Sequence, residues 1–232
     1  REHHVSLGIM SVHPNYGSQG IGKQLVKHIL DYTQENDYSS CRLVSSAINM
    51  DSFSLYNRAG FIPRVTYHDM VITVPSDGLK GITVAGEDKV REATLADINN
   101  IGELELEVSA IKREMDYRYA IENPRGALHA SIYENNQNGI EGFMISVKHP
   151  ALNMLGPCVA RSEEVAIALI RKTIDRFNGT WVLFSIPMDK RKMVEKMYSW
   201  KAINVETHLK EVWGEYPGFN GISMPSFLPE TG

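Results

Sequence analysis

The residues best suited to chemistry form a glycine-rich stretch near the start of the sequence, Gly17-Ser18-Gln19-Gly20-Ile21-Gly22-Lys23. Glycine adopts backbone angles that other residues avoid and lets a ligand approach the main chain. Apolar residues at helical spacing follow, so the stretch should open a helix, whose first N–H groups attract phosphate. We expect a pyrophosphate-bearing cofactor here, with Lys23 adding positive charge. A tight turn without a ligand is the alternative on these glycines alone.

The glycine spacing differs from two common phosphate-binding motifs. A dinucleotide-binding turn spaces its glycines as G-x-G-x-x-G, and a P-loop needs Gly-Lys-Ser/Thr after four intervening residues. The stretch has neither arrangement. Its identification therefore depends on a second stretch further along the chain.

Residues 49–61 read Asn-Met-Asp-Ser-Phe-Ser-Leu-Tyr-Asn-Arg-Ala-Gly-Phe. Together the two stretches resemble the GNAT superfamily of N-acetyltransferases, whose loop reads Gln/Arg-x-x-Gly-x-Gly/Ala and whose later helix reads Asn-x-x-Ala-x-x-Leu-Tyr-x-Lys-x-Gly-Phe. The matching residues are Gly20, Ile21, Gly22, Asn49, Leu55, Tyr56, Gly60 and Phe61. The chain departs from the pattern at three positions: Gly17 stands for Gln or Arg, Ser52 for Ala, and Arg58 for Lys. The first phosphate contact would then come from backbone, Ser18 or Gln19.

The resemblance implies an acetyl-CoA-dependent N-acetyltransferase that acts on a primary amine. One side of the pantetheine arm would lie along a strand edge, with Asn49 on its other side. Tyr56 would act as general acid toward the departing thiolate; a tyrosine that merely packs under the sheet is the alternative. The implied cofactor-binding residues are Met10, Ser11, Val12, Gly17, Ser18, Gln19, Gly20, Ile21, Gly22, Lys23, Asn49, Ser52 and Tyr56, and no metal site is expected.

The attacking amine must also lose a proton, directly or through water. No Glu or Asp lies within Val5–Val12, where the family often places a base. Glu2, His3 and His4 precede this segment and could serve, with histidine the better match to neutral pH. The sequence does not choose among them.

Hydrophobic periodicity predicts the elements that must position these residues. Alternation predicts three strands in the first third of the chain: Val5–Val12, Cys41–Ser46 and Val65–Val74. Helical spacing predicts two helices: one from Ile21 to about Glu35, and one capped by Asp51 or Ser52 that ends at Gly60. This order of strand, loop, helix, strand, helix, strand is the one that the family shows.

The same order recurs about 140 residues later, which indicates two copies of one α/β unit. The second copy is preceded by four further features: a strand at Val90–Ala93, a capping box at Thr94–Asp97 opening helical segments to about Tyr119, and hairpin strands Ala127–Tyr133 and Ile140–Val147. We therefore expect an α/β layered fold of two GNAT-like units, each a mixed, partly parallel twisted sheet flanked by helices. Residues 1–76 would be the carboxyl-terminal part of an acetyl-CoA-binding domain, 77–89 a linker, and 90–232 a second GNAT-like domain.

The second unit should lack its own cofactor site. Its junction at residues 155–164 has no glycine pair, and Glu163 and Glu164 at the helix start would repel phosphate. Tyr198 echoes Tyr56, but Ala202 replaces the glycine that follows. We expect this unit to serve structure or to close the substrate cleft; an independent second active site is the alternative.

Composition narrows the range of partners. The formal net charge is −4 with scattered Lys and Arg, which gives no footprint for nucleic acid. Cys41 and Cys158 are the two cysteines and lack metal-ligand spacing, so a reducing, cytoplasmic setting fits. No apolar run is long enough to cross a membrane. We expect a small-molecule or protein amine as substrate. The bare strand edge at Val5–Val12 invites pairing with another chain, as in a homodimer, or with residues absent from this sequence.

Two functions remain open at this point. The first is an active N-acetyltransferase, and the second is a non-catalytic coenzyme A-binding or scaffold protein with degenerate tandem GNAT domains. They differ in whether Tyr56 takes part in turnover.

Overall fold

A computed structural model describes residues 4–137 and 139–226 of the chain. Its strands are β1 (His4–Ser6), β2 (Ser40–Ser46), β3 (Ile62–Thr73), β4 (Val90–Glu92), β5 (Leu128–Asn135), β6 (Gly139–His149), β7 (Leu152–Ala160), β8 (Trp181–Pro187), β9 (Ile203–Gly214) and β10 (Ile222–Met224). Its helices are α1 (Ile21–Glu35), α2 (Met50–Arg58), α3 (Ile98–Ser109), α4 (Glu114–Glu122), α5 (Glu163–Ile174) and α6 (Arg191–Ser199). None of these helices is both long and apolar enough to cross a membrane. The candidate bases Glu2 and His3 lie outside the described residues.

All ten strands join one mixed sheet. Their order is β1-β2-β9-β3-β8-β7-β6-β5-β4, and β10 pairs with β7 outside this path. The pairs β1–β2 and β7–β8 are parallel, whereas the other pairs are antiparallel. Helices cover this sheet, so the predicted α/β layered fold is confirmed.

The two halves of the chain exchange one strand each at the centre of the sheet. β9, from the second half, lies between β2 and β3, and β3, from the first half, lies between β9 and β8. The pairing of β9 with β2 runs from Gly214 opposite Ser40 to His208 opposite Ser46. Side chains of the second half therefore stand beside the strand that the first half uses for its candidate site.

The first predicted strand, Val5–Val12, is wrong beyond its opening residues. β1 ends at Ser6, and the bond from Leu7 N to Arg42 O (2.8 Å) is the last that joins it to β2. No strand of the described chain lies beside residues 8–12, and a strand needs a partner for its N–H and C=O groups. Leu7 and Met10 both pack on the same core. Residues three apart point to opposite faces of a regular strand, so the alternation of side chains is broken between them.

The sheet has a front face, which α1, α2, α5 and α6 cover, and a back face, which α3 and α4 cover over β5–β7. Leu43 of β2 packs with α1 and α2, and Met70 of β3 packs with α5 and α6. The register through β9 places both side chains on the same face. Phe143 of β6 packs with α3 and α4 instead, and its neighbour Met144 points to the front.

The predicted linker, residues 77–89, packs against the second half of the chain. Leu79 is buried, and Ile82 contacts the core that α5 and α6 form. The Arg171 guanidinium of α5 donates to the carbonyl oxygens of Ile82 (2.8 Å) and Leu79 (3.2 Å). These bonds anchor the segment to the second half.

The chain after β9 crosses the back face. The Lys210 Nζ lies 5.1 Å from the centroid of the Phe219 ring, and Asn220 N donates to Val108 O of α3 (2.8 Å). Nearby, Arg42 of β2 donates to Ser109 O at the end of α3 (3.3 Å). This part of the back face is therefore covered by elements of the second half.

Candidate active site

Helix α1 begins with main-chain donors that have no acceptor within the helix. Its N-cap is Gly20, which has φ +77° and makes no side-chain capping bond. The first intrahelical bond joins Gln24 N to Gly20 O (3.0 Å), so the amides of Ile21, Gly22 and Lys23 point beyond the helix end. Together with the helix dipole, these donors attract an anion.

The turn before α1 leaves that end open. Ser18 has φ +61°, and a Cβ built on Gly20 would meet no atom within 4 Å. A Cβ on Gly17 would lie 3.2 Å from a carbonyl oxygen of its own turn, and the Gln19 amide donates back to Asn15 O (3.4 Å). The turn thus closes upon itself on one side and leaves space in front of the amides on the other.

Gly22 has a packing role besides its place in the loop. A Cβ there would lie 3.2 Å from Leu55 Cδ2 of α2 and 4.0 Å from Val12 Cγ2. Its missing side chain therefore allows α1 to approach both α2 and the segment after β1. The glycine-rich turn is brought beside the other predicted site residues in this way.

A gap separates residues 8–12 from the second half of β2, Leu43–Ser46. We call it the first cleft. The two segments are parallel neighbours up to Leu7 and Arg42, and beyond this point β2 continues to Ser46 without a strand of the described chain on that edge. Met10 points into the core beneath the cleft. On the edges that face the first cleft, neither segment pairs with another strand of the described chain, so backbone groups there are available to an extended ligand.

Helix α2 starts earlier than its predicted caps. Asn49 is the N-cap, and its side-chain oxygen accepts from Ser52 N (3.1 Å). Asp51 and Ser52 lie inside the first turn instead of capping it. Because the capping bond uses only the oxygen of Asn49, its amide nitrogen is left as a donor at the mouth of the first cleft.

Tyr56 lies on the side of α2 that packs against the front face of the sheet. Its side chain is 7% exposed, and its ring meets that of Phe61 edge-on with centroids 6.0 Å apart. Burial raises the pKa of Tyr56, and the nearby Glu211 carboxylate raises it further. The phenol therefore keeps its proton at neutral pH, which a hydrogen-bond donor or general acid requires.

Glu211 of β9 is a buried carboxylate next to Tyr56. It accepts hydrogen bonds from Ser45 Oγ (2.7 Å) and Asn57 Nδ2 (2.9 Å). Burial raises the pKa of Glu211, although both hydrogen bonds act in the opposite direction. Sequence reasoning missed this residue, because it follows Asn57 by 154 positions and reaches the site only through the strand exchange.

The equivalent gap in the second half is filled. β7 and β8 pair at Met154 and Leu155 and then diverge, and β10 pairs with Cys158–Ala160 on the edge that β6 leaves open. A Cβ on Gly156 would lie 2.5 Å from Pro225 O, so the chain around β10 sits directly against β7. We call this gap the second cleft. No sequence pattern predicted β10.

The start of α5 is also unlike the start of α1. Ser162 caps α5 by accepting from Val165 N (3.3 Å). Glu163 accepts from Met193 N (2.9 Å), and Glu164 pairs with Lys192 (2.6 Å). A capped helix end with two carboxylates in its first turn disfavours an anion.

The residues predicted to bind the cofactor lie around the first cleft or at the start of α1. The turn and α1 supply Gly17, Ser18, Gln19, Gly20, Ile21, Gly22 and Lys23; the segment after β1 supplies Met10, Ser11 and Val12; and α2 with its cap supplies Asn49, Ser52 and Tyr56. His4, the candidate base within the described chain, is buried and opposite Ser40, at the far end of β2 from Ser46.

Two family models match the sequence. The model of the acetyltransferase (GNAT) family matches residues 1–61, and the model of an acetyltransferase (GNAT) domain matches residues 110–210. The first match includes the glycine-rich turn and α2, and the second runs from the end of α3 into β9. No curated protein sequence matches the chain significantly.

Solved structures align with nearly the whole chain. A Pyrococcus horikoshii protein assigned to the acetyltransferases is 18% identical with a TM-score of 0.69, over 97% of this chain and 71% of that one. A tandem GNAT protein from the clavulanic acid biosynthesis pathway is 14% identical with a TM-score of 0.57, over 90% and 74%. Saccharomyces cerevisiae N-myristoyltransferase with bound myristoyl-CoA is 10% identical with a TM-score of 0.56, over 92% and 62%.

These identities establish a shared fold, and the family models carry the assignment further. Both halves of the chain match models of the same superfamily. The repeated order of elements, from β1 to β3 and from β7 to β9, agrees with two units in tandem. The chain belongs to the GNAT superfamily of acetyltransferases, with one GNAT-like unit following another.

Proposed function

We propose that the chain is an acetyl-CoA-dependent N-acetyltransferase that transfers acetyl to a primary amine by direct attack, with Tyr56 as general acid. The observation that carries this proposal is the uncapped start of α1, which opens beside a cleft with a buried tyrosine beneath it. The family supplies the class of reaction, acyl transfer. The acetyl group, the amine acceptor and the role of Tyr56 are our proposal.

The residues around the first cleft fit coenzyme A. Its diphosphate would be held by the amides of Ile21, Gly22 and Lys23, where the open space above Gly20 leaves room. Its pantetheine arm would lie along the unpaired backbone of residues 10–12, with the Asn49 amide on the other side. Acetyl-CoA supplies an acetyl group activated as a thioester. The chain's contribution is to bind, orient and exchange protons.

Tyr56 would hold a proton for the departing sulfur. Its hydroxyl stays protonated at neutral pH, because burial and Glu211 both raise its pKa. Attack by the amine forms the C–N bond, the C–S bond breaks, and the thiolate takes the phenolic proton. The amine gives up its own proton to a base on the acceptor side.

The second unit would bind no cofactor of its own and would serve mainly as structure. β10 pairs with the edge of β7 that faces the second cleft, and the two carboxylates at the start of α5 disfavour diphosphate. Its β9 also completes the sheet beside β2 and delivers Glu211 to Tyr56. We keep the domain division at 1–76, 77–89 and 90–232 as a proposal.

We further propose a cytoplasmic protein that acts on a small-molecule or protein amine without nucleic acid or membrane partners. Both cysteines are free and buried, as in a reducing compartment. Burial raises the pKa of the Cys41 thiol to about 11, so this thiol stays protonated. β1 forms one end of the strand order, which supports a homodimer built on that edge.

A non-catalytic coenzyme A-binding or scaffold protein is the second candidate. The filled second cleft favours it, since one of the two units already lacks room for a ligand. Under this alternative the first cleft binds coenzyme A, but no amine is acetylated. The two candidates are separated by turnover and not by affinity.

The test is release of free thiol from acetyl-CoA across a panel of amines, with affinity for coenzyme A measured by calorimetry. We expect turnover with at least one amine, and Tyr56→Phe should lower it about 100-fold while affinity barely changes. Tyr198→Phe is the matched control, because Tyr198 lies at the end of α6 in the second unit and is partly exposed.

Each outcome has one meaning. Binding without thiol release from any amine would support the scaffold alternative. Equal turnover of Tyr56→Phe and Tyr198→Phe would remove Tyr56 from the chemistry. Absence of binding heat at millimolar coenzyme A would overturn both candidates.

A further inference from the structure

A cavity of about 490 Å³ lies on the back face of the second unit, between α4 and the strands β5, β6 and β7. Small-molecule sites typically measure roughly 300–1,000 Å³, so the cavity has room for a ligand. It is distant from the first cleft, because β6 is five strands along the sheet from β2, or roughly 24 Å at the usual strand spacing. The cavity is therefore a separate site, which the proposed acetyl transfer does not use.

Apolar side chains form most of the cavity wall. Leu128 of β5 lies opposite Val147 of β6, and Ile145, two residues earlier on β6, points to the same face. Ala120 of α4 lies over these strands, and its small side chain leaves space above them. The apolar members of the wall are Ala120, Ala127, Leu128, Ile145, Val147 and Pro157. This surface suits the apolar part of a ligand.

The cavity is held in shape by the contacts of α4 and of the turn that follows it. The Tyr117 ring of α4 meets the Phe143 ring of β6 edge-on, with centroids 5.3 Å apart. In the turn, Asn123 accepts two hydrogen bonds: its side-chain oxygen from Leu128 N (2.9 Å) and its carbonyl from Gly126 N (2.9 Å). Both walls are thus anchored to the sheet without a ligand, which makes the cavity preformed.

Two side chains of opposite charge line the cavity. Asp116 is in the first turn of α4 and is half-buried, and Arg125 is in the turn after α4 and is exposed. Within the described chain, neither of these side chains has a hydrogen bond or ion pair with another residue. Both are therefore available to charged groups of a ligand.

The remaining polar groups of the wall carry no uncompensated charge. Arg113 Nε lies 3.1 Å and 3.2 Å from the two carboxylate oxygens of Glu105, so each charge of this buried pair offsets the other. His149 Nδ1 accepts from Ala151 N (3.1 Å), which is the role of a neutral imidazole.

Asp116 and Arg125 thus remain as one negative and one positive charge. A ligand with a single charge would match one of them and leave the other without a partner. A zwitterion matches both.

We propose that this cavity binds an α-amino acid with an apolar side chain. The ammonium group would pair with Asp116, and the carboxylate with the Arg125 guanidinium, which can donate two parallel hydrogen bonds to it. The apolar side chain would lie against Leu128, Ile145 and Val147. The inference does not rest on the proposed function; it gives a binding role to the unit that acetyl transfer uses mainly as structure.

The test is calorimetric titration of the full chain with L-leucine, L-methionine and L-phenylalanine. We expect at least one of them to bind. The matching amine and carboxylic acid, for leucine isoamylamine and isocaproate, each lack one charged group and should bind about 10-fold more weakly or worse. Glycine should also bind about 10-fold more weakly or worse, because it leaves the apolar wall uncovered.

Two variants test the charged pair. Asp116→Asn and Arg125→Gln should each weaken binding about 10-fold, because each removes one charge-assisted contact. Both native side chains lack internal partners in the described chain, so thermal unfolding should stay unchanged. The matched control is Arg118→Gln, since Arg118 lies on α4 outside the cavity wall, near Glu122 (3.9 Å). It should bind the amino acid as the native protein does.

Methyl NMR locates the ligand. Shifts should appear at Leu128, Ile145 and Val147, and they should be the same in Lys23→Glu. Shifts confined to the first cleft, for example at Met10, would mean that the amino acid binds there and would overturn the inference.

Three further results would also overturn it. They are no binding of any of the three amino acids at millimolar concentration, equal binding of the amine or the acid, and unchanged affinity in both Asp116→Asn and Arg125→Gln. The proposed function stands or falls on thiol release from acetyl-CoA, which none of these titrations measures, so failure of one proposal is distinguishable from failure of the other.

Discussion

Replacing Gly60 by alanine tests whether β9 truly lies beside the first unit. Gly60 follows α2 with φ +95°, and a Cβ there would lie 3.2 Å from Trp213 Cδ1 of β9. Alanine at this position lowers the stability of the fold for two separate reasons. Its own backbone is strained at this φ, and its Cβ crowds a neighbour from the other half of the chain. The second cost exists only because of the strand exchange.

The two costs have different sizes. A non-glycine residue in the left-handed region loses about 1–2 kcal/mol. The approach to Trp213 is tighter than an ordinary van der Waals contact and adds about 1 kcal/mol. We therefore expect Gly60→Ala to lower the free energy of unfolding by roughly 2–3 kcal/mol in the native background. In a Trp213→Ala background the contact is absent, and the same change should lose only about 1–2 kcal/mol.

The assay is urea unfolding of both single variants and the double variant, which gives a coupling energy of about 1 kcal/mol. Gly126→Ala is the control, since Gly126 has φ +68° but a Cβ there meets nothing within 4 Å. It should show the backbone cost and no coupling to Trp213. Zero coupling between Gly60 and Trp213 would refute the placement of β9 against α2, and with it the route by which Glu211 reaches Tyr56.

Three further changes test the electrostatics. Lys23→Glu should weaken coenzyme A binding about 5- to 10-fold in calorimetry, because the change places a negative charge at the start of α1. Lys27→Glu, one turn further along the helix, is the control and should change the affinity less than about twofold. Asp97→Asn should cost about 1–2 kcal/mol at neutral pH, because it removes a capping-box carboxylate. The hydrogen bond from Arg91 lowers the pKa of Asp97 to about 2. The stability that the Asp97 carboxylate contributes is therefore present above pH 3.8 and lost as the pH falls through about 2. The urea midpoints of the native protein and Asp97→Asn should converge at that pH, and a difference that stays constant with pH would contradict this role of Asp97. Burial raises the pKa of Glu211 in the folded protein above its usual value of 4.5. The free energy of unfolding should therefore decline as the pH rises from 4.5 through that raised pKa, and the decline should be smaller in Glu211→Gln. If the free energy of unfolding depends on pH equally in the two proteins, Glu211 is not a buried ionisable carboxyl.

Local patterns predicted the identity of most elements. The helical spacing from Ile21 predicted α1 with its observed ends, because an amphipathic helix is defined by residues three and four apart. The capping box at Thr94–Asp97 was also predicted and is present. The glycine-rich turn, Asn49 and Tyr56 were found in the same way, since each belongs to a short motif.

Such local patterns could not predict which strands pair when the strands are far apart in the chain. β1 is shorter than its alternation suggested, because residues 8–12 have no neighbouring strand in the described chain. β10 was missed, because three residues carry no usable period and the strand forms only against β7. Strand order is decided by which edges meet in the folded sheet, and periodicity does not encode that choice.

The sequence by itself determined the two-unit α/β plan, the loop and helix that carry the candidate cofactor site, and the superfamily. Tertiary structure alone decided that β9 inserts between β2 and β3. It therefore decided that Glu211 stands by Tyr56 and that His208 and Asp69 meet beside Ser46. The physical reason is that a motif is held together by local bonds, whereas these contacts join residues far apart in the chain through sheet register.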